Sequence, residues 1–139
     1  MVFMINSTLA PVILVGQTLI AKVAMTVLFR VKTTDKSTSS EDVKMILGSQ
    51  LYKRVHAAQL NEAEYSGLFT AGLLFLSVKG VAAPWLSTLA VFGQVWYYWM
   101  RALVGNSHEG GIQPPPYAPG ALARYAALGM LAFELYKLA

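Results

Sequence analysis

The chain has 139 residues, of which 55% are hydrophobic and 13% charged, and its mean hydropathy is +0.48. Soluble domains carry roughly 25% charged residues, so the composition excludes a disordered chain and disfavours a water-soluble globule. With no cysteine, a disulfide framework, a thiolate zinc site and a cysteine nucleophile are excluded as well. A small integral membrane protein is the reading that remains.

A helix needs about 20 mostly apolar residues to cross roughly 30 Å of hydrocarbon. Four segments qualify, which predicts an all-α, multi-pass membrane four-helix bundle as a single domain over residues 1–139. The first span runs over about 7–30, apolar except for Gln17 and Lys22, and ends at Arg30. It lacks a basic n-region and is longer than the roughly 7–15 apolar residues of a signal peptide, so a span is expected rather than a cleaved leader. Val31 to Gln50 is polar and rich in Ser, Thr and Lys; Ser40 with Glu41-Asp42 is expected to cap a short amphipathic helix through Leu47, closed by Gly48. The second span, about 51–78, is polar in its first half and purely apolar from Leu68 to Leu76. The third, about 83–104, carries Gln94 and Arg101. Gly105 to Gly120 contains Gly110-Gly111 and Pro114-Pro115-Pro116 and is expected to be non-helical. The fourth, about 119–138, has Arg124 near one end and Glu134 near the other. Four successive spans make an antiparallel bundle.

Charge orients it. Six of the eleven basic residues lie between Arg30 and Arg54, namely Arg30, Lys32, Lys36, Lys44, Lys53 and Arg54. The positive-inside rule makes that first loop cytoplasmic and puts both termini on the far side. The net charge of +4 is therefore a topology signal, and no nucleic acid partner is expected.

Polar residues inside spans are expensive and face protein or a water-filled cavity. At helical spacing Arg54, Ala58, Asn61 and Tyr65 share one face, with Glu64 on its flank and Gln59 pointing to a different surface. Lys53, His56 and Glu62 are expected instead in the headgroup layer or the cytosol. Gln94, Tyr97, Tyr98 and Arg101 form a second stripe at i, i+3, i+4, i+7. With Trp96 and Trp99 beside them, that stripe reads equally as an interfacial aromatic belt or as a site. Lys22 fits a snorkelling side chain and Arg30 a helix-end anchor. His56 and His108 are too isolated for a metal site, and no G-x-S-x-G, H-E-x-x-H, Walker or G-x-G-x-x-G pattern occurs.

Arg54-Val55-x-x-Ala58-Gln59-Leu60-Asn61-x-x-Glu64-Tyr65 resembles the signature of the MAPEG family, the membrane-associated proteins in eicosanoid and glutathione metabolism. Chain length, four spans and a long basic first loop agree with it over essentially the whole chain. The resemblance implies a homotrimer of four-helix subunits in the endoplasmic reticulum or another internal membrane, or in a bacterial inner membrane. Glutathione would bind between subunits near the cytoplasmic side, as co-substrate for a lipophilic electrophile or lipid hydroperoxide. By position it makes Gln59, Asn61, Glu64 and Tyr65 glutathione contacts, with Arg30 contributed by the adjacent subunit; the charge of Arg54, like that of Arg30, suits a glutathione carboxylate. It makes Tyr97 a site tyrosine, which with Arg101 is the candidate group to stabilise the thiolate.

The chain departs from that pattern where many members have an arginine, here Ala57, and where they have a proline, here Gly67. A direct alignment puts no arginine in the lengthened loop before the fourth span, so Arg101 and Arg124 are the local candidates for that role. Two functions follow from the resemblance: a membrane glutathione transferase or peroxidase, or a non-catalytic lipid-binding or scaffold protein of the lipoxygenase-activating kind. A structural subunit of a larger complex is a third reading.

Overall fold

The computed structural model describes residues 4–105 and 114–139. It is all-helical, with no strand among the described residues. Five helices follow one another: α1 over Leu9–Thr34, α2 over Ser40–Gly48, α3 over Gln50–Val78, α4 over Pro84–Leu103 and α5 over Ala118–Tyr136. Among the described residues, α1 is the one helix both long and apolar enough to cross a membrane; at 26 residues it is about 39 Å long.

The four long helices fall where the hydropathy put them, with three local differences. α1 does not stop at Arg30: a π-helical turn over Thr26–Arg30 carries it into a last turn at Val31–Thr34. That turn ends at Asp35, whose Oδ1 accepts from the Ser37 amide at 2.9 Å, a bond that holds its carboxyl below the usual carboxylate range. The cap of α2 is Ser39, not Ser40. Its hydroxyl oxygen accepts from the Asp42 amide at 3.1 Å while its hydroxyl donates to Asp42 Oδ2 at 2.7 Å. Finally, α5 begins at Ala118, inside the stretch to Gly120 expected to be non-helical, because Pro119 in a first helical turn gives up only a donor that has no partner there. The expected Gly110-Gly111 loop and His108 lie outside the described residues.

α1 packs on α3, and α4 lies between α3 and α5. The N-terminal end of α1 meets the α3–α4 turn, where the Ala83 amide donates to Ser7 Oγ at 3.0 Å and the Ile5 amide to Thr88 Oγ1 at 2.9 Å. Arg30, Arg54 and Arg101 therefore gather at the opposite end.

The interior has three layers. Leu14, Phe69, Leu73, Leu86, Ala127 and Leu131 form an apolar cluster toward the α3–α4 turn. Ala21, Phe29, Val55, Ala58, Tyr98 and Ala102 form another toward the basic end. Between them Gln17, Glu62, Ser66, Gln94 and Arg124 are buried. The outer faces are apolar instead: Val12, Leu19, Val27, Leu68, Phe92, Leu122 and Phe133 are all exposed. Polar groups inside and hydrocarbon outside invert the soluble pattern.

Candidate functional site

Two glycines bring α4 and α5 into contact. A Cβ on Gly120 would stand 2.7 Å from the Tyr97 amide nitrogen, and one on Gly93 would stand 2.6 Å from Arg124 Cγ. This close crossing lets Arg124, only 2% exposed, reach across the bundle. Its guanidinium carbon lies 3.7 Å from the centre of the Tyr97 ring and 4.2 Å from that of Tyr65, a cation held between two aromatic faces. Its Nη1 donates to Gln94 Oε1 at 3.1 Å, and Gln94 Nε2 donates onward to the Glu62 carbonyl at 3.1 Å.

Tyr97 is the hub. The Arg101 guanidinium, one turn on, donates to its hydroxyl oxygen, and Tyr117 meets its ring edge-to-face at 5.3 Å. With its oxygen taken as an acceptor, the phenol keeps its own proton to offer to a third group. Arg101 Nε and Arg124 Nε, both buried, have no hydrogen-bond partner among the described residues.

The stripe on α4 thus divides. Gln94, Tyr97 and Tyr98 are buried and Arg101 half-buried, while Trp96 is exposed and Trp99 half-buried. The inward polar face and the outward tryptophans coexist on one helix.

On α3, Ala58 is buried, Arg54, Asn61 and Tyr65 are half-buried, and Glu64 is exposed. The Asn61 Oδ1 atom is buried without a partner among the described residues. Arg54 packs its guanidinium on Gly105, where a Cβ would stand 2.6 Å from Arg54 Cζ and where φ is +94°. Both the space and the left-handed backbone require glycine there.

Gln59 does point to a different surface, as its spacing predicts. It shares a cleft of about 230 Å³ with Arg30, Thr33, Tyr52 and His56, between α1, α2 and α3. The site residues expected from the sequence therefore form two groups within one chain. Tyr97, Arg101 and Tyr65 gather with Arg124, while Arg30 and Gln59 lie together on the other side of α3.

One expectation is corrected. Glu62 is not in the headgroup layer or the cytosol; it is 1% exposed in the polar layer, 2.7 Å from the Thr18 hydroxyl. Its spacing from Arg54 sets it off the Arg54 face and toward α1, and Thr18 and Ser66 supply polar neighbours that α3 alone does not reveal. Lys53 is exposed and His56 half-buried, stacked on Tyr52 at 5.5 Å between ring centres. Among the described residues no group of His, Asp and Glu is suited to a metal ion.

No protein-family model, curated protein or solved structure matches the chain.

Proposed function

We propose that the protein is an integral membrane glutathione transferase or peroxidase of the MAPEG type. In this reading all four long helices cross the bilayer, the loop after α1 faces the cytoplasm, and three copies assemble. The layer of buried polar groups beneath exposed apolar faces supports the membrane setting. The observation that carries the activity is the Arg101–Tyr97 bond with Arg124 stacked on the same ring.

Glutathione has two carboxylates, one ammonium and one thiol. Arg30 and Arg54 suit the carboxylates, since a guanidinium matches them in charge and planar geometry. Glu64, exposed on α3, suits the ammonium. Gln59, Asn61 and Tyr65 supply donors and acceptors for the peptide groups. Two groups of residues on opposite sides of α3 favour a site completed by a second copy, with Arg30 and Gln59 from one and Glu64 and Tyr65 from the next.

The Tyr97 hydroxyl, backed by Arg101 and by the charge of Arg124, donates to the sulfur and favours the thiolate over the thiol. The sulfur then bonds to an electrophilic carbon of a lipophilic substrate as its leaving group departs. Absorbance of the glutathione thiolate and conjugation of a generic electrophile by purified protein test this reading. Appearance of neither removes it.

One feature favours a second reading on the same fold. A groove of about 470 Å³ on the outer face of α4, lined by Val91, Phe92, Val95, Trp96 and Trp99, is almost wholly apolar. It suits a lipid chain, as a non-catalytic lipid-binding scaffold requires. Under that reading, glutathione leaves lipid binding unchanged.

A further inference from the structure

Glu62 belongs to a second polar knot that the glutathione reading does not use. Thr18 Oγ1 lies 2.7 Å from Glu62 Oε1, 2.7 Å from Ser66 Oγ and 3.1 Å from the Leu14 carbonyl oxygen. Glu62 Oε2 is buried with no partner among the described residues, and the Glu62 backbone carbonyl is already taken by Gln94 Nε2. The ion pair among the described residues joins Lys137 to Glu134, so no basic side chain bridges Glu62. The charged and titratable groups facing it are Lys22 of α1, Tyr98 of α4 and Arg124 of α5. Of these Lys22 is exposed, and Arg124 donates to Gln94.

Counting hydrogens decides the state of the acid. A hydroxyl donates one hydrogen and accepts two. With Glu62 ionised, the Thr18 and Ser66 hydrogens serve only two of the three contacts around Thr18 Oγ1. The carboxylate then has at most these two hydroxyl hydrogens to meet a full charge held out of water, which is costly. With Glu62 neutral, its own O–H donates to Thr18 Oγ1, the Ser66 hydroxyl donates to the same oxygen, and Thr18 donates to the Leu14 carbonyl. All three contacts become bonds, and the atom left without a partner is an uncharged carbonyl oxygen.

We infer that Glu62, Thr18 and Ser66 form a proton-binding site in the bundle interior, in which Glu62 is a neutral carboxylic acid reached from the groove between α1 and α3. That groove, of about 510 Å³, is lined by Thr18, Lys22, Ser66 and Thr70 among apolar side chains. Lys22 at its rim and the hydroxyls on its wall give a proton a polar way in, and its apolar walls admit lipophilic reagents that seek a protonated acid. The inference stands independently of glutathione binding.

Dicyclohexylcarbodiimide tests it on the full chain in detergent or bilayers. The acid proton moves to a carbodiimide nitrogen while the carboxyl oxygen bonds the central carbon. The resulting O-acylisourea rearranges to a stable N-acylurea that mass spectrometry locates. The expected result is an adduct on Glu62 at neutral pH that declines as pH rises, together with an infrared carbonyl band of a protonated carboxyl that Glu62→Gln lacks. Mapping the wild-type adduct needs no variant, so the test survives a Glu62→Gln that fails to fold. Absence of both the band and the Glu62 adduct at neutral pH overturns the inference. So does suppression of the adduct by sodium at constant pH, which assigns the carboxylate to a metal ion instead.

Discussion

Arg124 and Tyr97 are stacked face to cation, 3.7 Å from guanidinium carbon to ring centre, because Gly93 and Gly120 leave no side chain between α4 and α5. The closeness of two helices and the position of one charge are thus a single structural fact.

Gly120→Ala tests the crossing. The added Cβ meets backbone, 2.7 Å from the Tyr97 nitrogen and 3.0 Å from its Cα, and backbone yields only if the helices part. Overpacking of this kind costs about 1–3 kcal/mol. Thermal unfolding in detergent reports it as a lowered midpoint; an unchanged midpoint means the helices do not cross here.

Arg124 tests why a charge is buried at all. Among the described residues its hydrogen-bond partners are an amide, Gln94 Oε1, and the Tyr97 hydroxyl, with no salt bridge to a carboxylate. A buried cation without a carboxylate seldom adds stability. Arg124→Met is expected to fold, with stability changed by no more than the roughly 1–3 kcal/mol of an unpaired Gln94 oxygen, and to lose thiolate formation. A folded variant with full thiolate absorbance removes Arg124 from the site.

Tyr97→Phe keeps the ring under Arg124 and deletes only the hydroxyl that accepts from Arg101. Loss of one preorganised donor costs about 10²–10³ in kcat. Turnover should therefore fall on that scale while the KM for glutathione changes little. A raised KM with an unchanged kcat would assign the hydroxyl to binding alone.

A divided site has its own signature. Arg30 and Gln59 share one cleft, whereas Glu64 lies exposed on α3. Arg30→Ala and Glu64→Ala should each abolish activity. Co-expression of the two should restore part of it, because a mixed assembly contains some interfaces in which both residues are intact. No recovery means that each copy binds alone.

Helix positions were legible in the sequence because the apolar runs from Ser7, Leu68, Ala83 and Pro119 are coarse signals that single residues do not disturb. The i, i+3, i+4, i+7 spacing from Gln94 to Arg101 grouped the residues of one face of α4 but left belt and site open, whereas spacing alone separated Gln59 from Asn61. What escaped depends on contacts between helices. Glu62 reads as a surface acid until Thr18 and Ser66 are brought against it. Arg124 reads as a helix-end charge until Gly93 and Gly120 draw it under Tyr97. The π-helical turn at Thr26–Arg30, which sets the register of Arg30, leaves no mark in the apolar pattern.

Calorimetric titration of glutathione into the detergent-solubilised protein, beside Glu64→Ala, is the most direct test of the central claim. Saturable binding to the wild type that Glu64→Ala weakens at least tenfold, about 1.4 kcal/mol, is the predicted result. No heat of binding to the folded wild type, or equal binding by both proteins, contradicts it.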